Sequence, residues 1–251
     1  NIMKHRILMG LLLMLLPPLG TQAATVDLVP GEMQACQLND GVSTREVDKV
    51  MTKIADWLQA DGHEYDLWMA TPHFRPPEGY DFDVLFLGFW TSHAEQMSGL
   101  KKFYTTQAGR DIGQSLADVM TCGGNRHFNS VQVRTEAGAE KRRQGFGYMF
   151  DCTLASGKGP TDVNEVFQKW NAYLDESDID HGVSALFPSS GSMESSAGSF
   201  KFLWGGDFTN VGETLGFLTE PESQSTWASI TSETYACETF DRGYFFQRIS
   251  Q

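Results

Sequence analysis

The sequence predicts an α+β fold in which one unit of order βαββαβ occurs twice along the chain. Two observations support this prediction. The segment 35–133 is echoed by 151–249, with cysteine, helix, proline, aromatic strand and cysteine in the same order. The four cysteines also repeat one spacing, because Cys36 and Cys122 are 86 positions apart and Cys152 and Cys237 are 85 apart. A segment copied within one chain is usually one supersecondary package paired with its twin.

Residues 1–24 are predicted to form a secretory signal peptide. Lys4 and Arg6 precede the apolar run 7–16, and Thr21-Gln22-Ala23 places small residues where a signal peptidase cleaves. The alternative is an uncleaved anchor, but the apolar run is shorter than the roughly 20 residues of a membrane-spanning helix. The rest of the chain is therefore expected in the periplasm or outside the cell, without membrane contact after cleavage.

Charge and cysteine spacing limit the partners that the chain can have. The formal net charge is −13, and such a surface repels nucleic-acid phosphates and anionic lipids, so neither partner is expected. The cysteines form no Cys-x-x-Cys pair or Cys/His cluster, so no metal site is expected. In an exported chain they favour disulfides, and the duplication selects one bridge inside each copy: Cys36–Cys122 and Cys152–Cys237.

The first unit is predicted over 25–133. Six apolar residues at i, i+3, i+4 and i+7 spacing indicate a helix with a single buried face: Val47, Val50, Met51, Ile54, Trp57 and Leu58. Its other predicted elements are strands at 33–38, 65–71, 82–90 and 128–133, with two weaker helical segments at 92–104 and 108–120. The strand 82–90 is almost continuously apolar, which suggests burial on both faces.

The second unit is predicted over 148–251, after a polar linker at 134–147. Its first helix repeats the apolar stripe at the same six places: Val163, Val166, Phe167, Trp170, Tyr173 and Leu174. The remaining predicted elements are strands at 148–154, 182–187, 200–208 and 244–249, and helical segments at 210–219 and 222–235. In the alignment of the two units, the aromatic strand 82–90 matches 200–208 residue for residue, since a threonine follows each of them.

The order βαββαβ is that of the ferredoxin-like unit, a four-stranded antiparallel sheet with both helices on one face. The bare aromatic face of each sheet must be covered, so we expect the twin sheets to pack face to face as a pseudo-dimer within a monomer. In topology and duplication, the chain resembles the dimeric α+β barrel superfamily, which includes antibiotic-biosynthesis monooxygenases, EthD-like proteins and haem-degrading monooxygenases. It is also similar to uncharacterised exported proteins of marine bacteria that share the opening Cys-x-Leu-x-x-Gly, and that resemblance implies no activity.

The superfamily resemblance implies a ligand site between a sheet and its helices. Four aromatic residues are candidates to line it, with ordinary core packing as the alternative: Trp68, Phe89, Trp90 and Trp204.

Two further residues are weak candidates for catalysis. In the haem-degrading members a helical histidine ligates iron, and His93 is the residue that could correspond, although no matching asparagine can be placed and its aligned counterpart is Val211. Asp83, in an apolar strand, could act as a general base. The alternative for Asp83 is an ion pair with Lys201, the residue aligned with it in the second unit.

The absence of a recognisable catalytic motif favours an exported, non-catalytic protein that binds a small apolar or aromatic molecule, without a cofactor. One alternative is a cofactor-independent or haem-dependent monooxygenase or isomerase of the superfamily. The other is a structural or interaction module in which the aromatic residues fill the core.

Overall fold

A computed structural model describes residues 26–60, 62–74, 81–190, 198–238 and 242–249. The predicted signal peptide lies outside the described residues. Within them, no helix is long and apolar enough to cross a membrane.

The described chain folds as two successive sets of strands and helices that repeat one topology. The first unit (29–134) contains β1 Val29–Leu38, α1 Thr44–Ala60, β2 Tyr65–Phe74, β3 Val84–Trp90, α2 His93–Thr105, α3 Gln107–Val119, β4 Met120–Cys122 and β5 Arg126–Arg134. The second unit (144–248) contains β6 Gln144–Leu154, α4 Pro160–Glu176, β7 Gly182–Ser190, β8 Ser199–Gly206, α5 Phe208–Leu218, α6 Pro221–Thr231, β9 Tyr235–Cys237 and β10 Gly243–Arg248. This mixed antiparallel architecture confirms the predicted fold class.

Eight of the described strands close into one antiparallel barrel in the order β10-β2-β3-β1-β5-β7-β8-β6, and β6 pairs back to β10. The last strand of each unit pairs with the second strand of the other, as Ser130 opposite Leu186 and Phe245 opposite Thr71 show. The prediction of two stacked sheets therefore needs one addition. The sheets face each other across a common interior, and they are also joined at both edges by backbone hydrogen bonds.

Each disulfide joins a short strand, which the sequence analysis did not predict, to the first strand of the same unit. Strands β4 and β9 pair with the C-terminal ends of β1 and β6, so that Cys36 lies opposite Cys122 and Cys152 lies opposite Cys237. The Cα atoms of each pair are 4.0 Å apart, and both predicted bridges are formed. Each bridge therefore ties a helix-connected strand to the first strand of its own unit.

Among the described residues, apolar side chains form three clusters of buried core. One lies inside the barrel and includes Leu85, Leu87 and Phe246. The other two lie between the outer faces of the sheets and the helices, where the predicted stripes of α1 and α4 are buried. Strand β3 is buried on both faces, as predicted, because it separates the barrel interior from the helices.

The aromatic strands β3 and β8 are equivalent in a register that differs from the sequence alignment by two residues. Cys36 lies opposite Val84, whereas Cys152 lies opposite Phe200, so Val84 and Phe200 are the true counterparts. Side chains alternate between the two faces of a strand, so a shift of two residues keeps the same face and leaves an apolar pattern unchanged. In the corrected register, Asp83 corresponds to Ser199 and not to Lys201.

Candidate functional site

A cavity of about 390 Å³ lies between the sheet of the first unit and helices α1, α2 and α3. We call it the first-unit pocket. Most of its described lining residues are apolar, and they come from every layer of the unit: Met51, Ile54, Trp57, Leu67, Phe86, Gly88, Trp90, Phe103, Ile112, Leu116 and Met120. A mainly apolar cavity of this size with a few polar groups is typical of a small-molecule site.

At several positions that line the cavity, the first unit carries smaller side chains than the second unit has at the equivalent positions. Gly88 faces Glu32 of β1 and corresponds to Trp204, which faces Tyr148 of β6. On the first helix of each unit, Met51 and Ile54 correspond to aromatic residues of α4 in the register of the predicted stripes. The aromatic residues that occupy this space in the second unit are Phe167, Trp170, Trp204, Trp227 and Tyr235.

Gly88 makes room for the ring of Tyr65 on the neighbouring strand. A Cβ atom at Gly88 would overlap the phenol of Tyr65, so no larger residue fits there without displacing it. The Tyr65 ring also stacks on Trp90, with 4.1 Å between ring centroids. A glycine in the middle of a strand is otherwise unfavourable, and here it allows a close approach.

Three side chains form the polar end of the pocket. The hydroxyl of Tyr65 donates a hydrogen bond to Oε1 of Glu32 over 2.7 Å. The Nδ2 of Asn125, in the turn between β4 and β5, donates to the other carboxylate oxygen, Oε2. Burial of its hydroxyl, and then the charge of Glu32, raise the pKa of Tyr65 well above its usual value, so it is a neutral phenol that orients the carboxylate.

Glu32 is the only charged side chain among the described residues that line the first-unit pocket. Two polar atoms near it have no hydrogen-bond partner within the described part of the chain, namely Oδ1 of Asn125 and Nε1 of Trp90. Because Nδ2 of Asn125 is used by Glu32, the other amide atom must be the acceptor oxygen. The pocket therefore contains a fixed carboxylate beside one unused acceptor, Oδ1 of Asn125, and one unused donor, Nε1 of Trp90.

Of the aromatic residues predicted to line a site, Trp90 alone lines the first-unit pocket. Trp68 and Phe89 lie on the opposite face of the sheet and line a separate cavity of about 400 Å³ at one end of the barrel. Trp68 is covered there by the guanidinium of Arg248. Trp204 packs in the core of the second unit, stacked on Tyr148. The predicted four are thus divided among three places.

His93 and Asp83 both lie outside the described lining of the first-unit pocket. His93 is the first residue of α2, exposed, with its Nδ1 3.4 Å from Oε1 of Gln96. Asp83 accepts a hydrogen bond from the backbone N–H of Leu38 over 2.9 Å. Lys201 pairs with Asp151 of its own unit rather than with Asp83. These contacts support β1 and the start of α2.

His181 occupies the position in the second unit that Tyr65 occupies in the first, two residues before the strand partner of Trp204. Its ring is 2% exposed and packs edge-on against Trp204, with 5.5 Å between centroids. Its Nδ1 lies 3.3 Å from the hydroxyl of Thr214. Burial, and then the charge of Arg134, lower the pKa of His181 to about 3, so it is neutral in the folded protein.

Sequence analysis missed Glu32, Tyr65 and Asn125, which the fold brings together from β1, β2 and the turn before β5. The available signal was Gly88, a lone glycine within the most apolar strand of the first unit. The two-residue error in alignment hid this signal, because it matched Gly88 with another glycine, Gly206.

Neither a family model nor a curated protein matches the chain. Among solved structures, a candidate monooxygenase from Lactobacillus acidophilus superposes with a TM-score of 0.56 at 7% identity, over 89% of this chain and 95% of its own. A candidate chlorite dismutase superposes with a TM-score of 0.50 at 11% identity, over 88% of this chain and 94% of its own. Both are dimeric α+β barrel proteins.

This chain has the dimeric α+β barrel fold. The barrel is closed within one polypeptide, since two strand pairings join the first unit to the second: β2 with β10, and β5 with β7. We call these two pairings the seams. The expectation of a non-catalytic binding protein is wrong on this comparison, because both of these solved proteins are described as enzymes.

The first-unit pocket does not offer the ligands that haem iron takes in proteins, which are imidazole, thiolate, thioether with imidazole, or phenolate. No histidine is among its described lining residues, and Cys122 is held in a disulfide. The raised pKa of Tyr65 opposes the phenolate form. Tyr104 stands at the rim, 71% exposed. This donor set does not fit a haem ligated in the pocket.

Proposed function

We propose that the protein is an oxygenase that oxidises a small aromatic substrate in the first-unit pocket, with the electrons supplied by the substrate itself. The observation that carries the proposal is the pocket, which is lined in part by small residues where the second unit has large aromatic ones. The enzymes that share the barrel fold support an oxidative reaction.

Three parts of the pocket would serve this reaction. The aromatic walls, with Trp57 and Trp90, would hold a flat ring by packing. The carboxylate of Glu32, oriented by Tyr65 and Asn125, would fix a polar group of the substrate and so determine which carbon faces the open space. The surrounding helices would keep water away from the oxygenated intermediate.

The reaction balances without a further reductant when the substrate carries an activated methylene group. That carbon is oxidised to a carbonyl by one molecule of O₂, so that one oxygen atom enters the product. The other oxygen atom leaves as water with the two hydrogens of the methylene group, and the carbon supplies all four electrons. The protein would contribute binding, orientation and exclusion of water.

Oxygen consumption by the purified protein tests the proposal. We expect uptake with some members of a panel of small aromatic compounds that carry activated methylene or phenolic groups, and a product that contains one oxygen atom more and two hydrogen atoms fewer than the substrate. Ile54→Trp gives the first unit the residue of the second and should reduce uptake at least tenfold while the protein stays folded, because the ring fills the cavity.

The matched control for Ile54→Trp is Glu213→Gln, an exposed change on α5 of the second unit, which should leave uptake unchanged. Uptake that survives in Ile54→Trp would place the reaction outside the first-unit pocket. A complete lack of uptake over the panel, with or without added haem, would contradict an oxygenase.

We also propose that the enzyme works as a monomer in the periplasm or outside the cell. The two disulfides, the acidic surface and the sequence of residues 1–24 support export. The internal pairing of the units supports a monomer, because the barrel edges that would otherwise join two subunits are already used.

A further inference from the structure

The polar end of the first-unit pocket contains several hydrogen-bond acceptors around Glu32, with Nε1 of Trp90 as an unused donor nearby. Glu32 receives one bond at each oxygen, and each carboxylate oxygen can accept a second. The amide oxygen of Asn125 is buried and has no partner among the described residues. The hydroxyl of Tyr65 and one N–H of Nδ2 of Asn125 are used on Glu32. A ligand group that donates several hydrogen bonds at one point therefore suits the acceptors that converge on Glu32 and Asn125.

The charge of the pocket points in the same direction. Glu32 is negatively charged, and no lysine, arginine or histidine is among the described lining residues. The residue opposite Glu32 on β5 is His127, which is not among those lining residues. A half-buried carboxylate attracts a positive ligand and repels a negative one. Because the lining is otherwise apolar and aromatic, this attraction is screened less than it would be at the surface.

The walls of the pocket are also suited to a cation with an aromatic body. Trp57, Trp90, Phe86 and Phe103 present rings around the space, and Trp57 and Phe103 meet edge to face with 6.3 Å between centroids. The faces of such rings attract organic ammonium groups, tryptophan most strongly. The same rings pack well against a flat aromatic ligand.

We propose that the ligand of the first-unit pocket is an aromatic compound that bears a protonated primary amine, whose ammonium group is held by the carboxylate of Glu32 and the amide oxygen of Asn125. An ammonium group has three N–H donors, which matches the acceptors that converge there. A neutral alcohol offers one donor, and a carboxylate offers none and is repelled. The inference rests on the proposed site and adds the substrate class.

Equilibrium binding under nitrogen tests the inference without any dependence on oxygen chemistry. The probes are a naphthylmethylamine, the corresponding naphthylmethanol and the corresponding naphthoic acid, which share a ring and differ in the polar group. Binding is followed by quenching of tryptophan fluorescence at neutral pH. We expect the amine to bind at least about tenfold more tightly than the alcohol, as befits a hydrogen-bonded charge, and the acid to bind most weakly.

Glu32→Gln keeps the shape and removes the charge. In this variant the preference for the amine over the alcohol should fall to within about twofold, while the affinity for the alcohol is retained. Glu213→Gln makes the same change of charge on an exposed helix and should keep the full preference. If Glu32→Gln does not fold, the relative affinities of the unaltered protein for the three probes decide the test.

Two results would overturn the inference. One is an amine that binds no better than the alcohol, and the other is a preference for the amine that persists in Glu32→Gln. Neither result would bear on the proposed oxygenase, which is tested by oxygen uptake with neutral compounds. Conversely, selective binding of the amine without any oxygen uptake would contradict the oxygenase and leave the ligand class standing.

Discussion

Tyr65 and His181 occupy equivalent positions in the two units and have different structural roles. In the first unit, Tyr65 leans over Gly88 and orients Glu32 at the wall of a cavity. In the second, the smaller ring of His181 leaves room for Trp204, which fills the corresponding space. The neighbouring pair Tyr–Gly therefore opens a pocket, and the pair His–Trp closes it.

The buried histidine makes folding stability depend on pH. The pKa of His181 falls from an ordinary value near 6.5 to about 3 in the folded protein, so between these values only the unfolded chain binds the proton. This contribution is fully present above pH 6.5 and is lost as the pH falls towards 3. We expect His181 alone to cost about 2 kcal/mol of unfolding free energy between pH 6.5 and 5.

Urea unfolding at a series of pH values measures this contribution. His181→Gln cannot titrate and should show a loss smaller by that amount over the same range. His93→Gln removes an exposed histidine and serves as the control, which should follow the unaltered protein. If the unfolding free energy changes equally with pH in His181→Gln and in the unaltered protein, His181 is protonated to the same extent in the folded and unfolded states.

Some residues of the first-unit pocket could be identified from the sequence, and others could not. Trp90 lines the first-unit pocket because it belongs to the aromatic strand that the helices cover, and its role in ligand binding stays a prediction. Glu32 and Asn125 could not be found, because 93 positions separate them and only the pairing of β1 with β4 and β5 brings them together. A polar residue in a strand shows no sign of whether it faces water or a cavity until the register is known.

At the scale of elements, the disulfides hold helices to the sheet through the short strands β4 and β9. Each bridge closes a long loop that contains all the helices of its unit. In the first unit, Cys122 is in addition part of the pocket lining. The two bridges therefore have the same role in stability and different positions relative to the proposed site.

Removal of either bridge by a pair of Cys→Ala substitutions should lower the unfolding free energy by about 4 kcal/mol, since the loops are of nearly equal length. The Cys36→Ala, Cys122→Ala variant should also weaken ligand binding, whereas the Cys152→Ala, Cys237→Ala variant should not. Denaturant unfolding and fluorescence titration separate the two effects. Equal losses of binding in both variants would show that the bridge acts only through global stability.

Most elements could be predicted from periodicity, because a helix or strand with one buried face repeats its apolar residues regularly. Strands β4 and β9 could not, since each has three residues and too few to show a pattern. The equivalence of β3 and β8 was misjudged for the physical reason that a strand pattern is unchanged by a shift of two. The first helices of the two units, α1 and α4, were aligned correctly, because their buried residues repeat with the longer helical period.

For the whole molecule, the seams between units decide how the barrel holds together. Each unit alone would have two open edges, β2 and β5 in the first and β7 and β10 in the second, and a bare apolar face that includes Leu85 and Leu203. Open edges and exposed apolar faces lead to association. The duplication supplies the complementary edges and face within one chain.

We expect the two units to remain together when the connection between them is cut. A protease site inserted at Gly138, a turn residue with φ of 73° between β5 and β6, allows cleavage of the folded protein. The fragments should elute as one species in size-exclusion chromatography and separate on a non-reducing denaturing gel, because each disulfide lies within one unit. Separation of the fragments in native buffer would show that the seams are weak.

The pairing of β10 with β2 has a consequence for the order of synthesis. Strand β2 carries Tyr65, yet its outer edge is completed only by residues 243–248, which the ribosome makes long after the rest of the first unit. A nascent chain therefore has the residues of the pocket well before it has a closed barrel to hold them. The unit that contains the first-unit pocket should therefore mature last, after translation of the second unit.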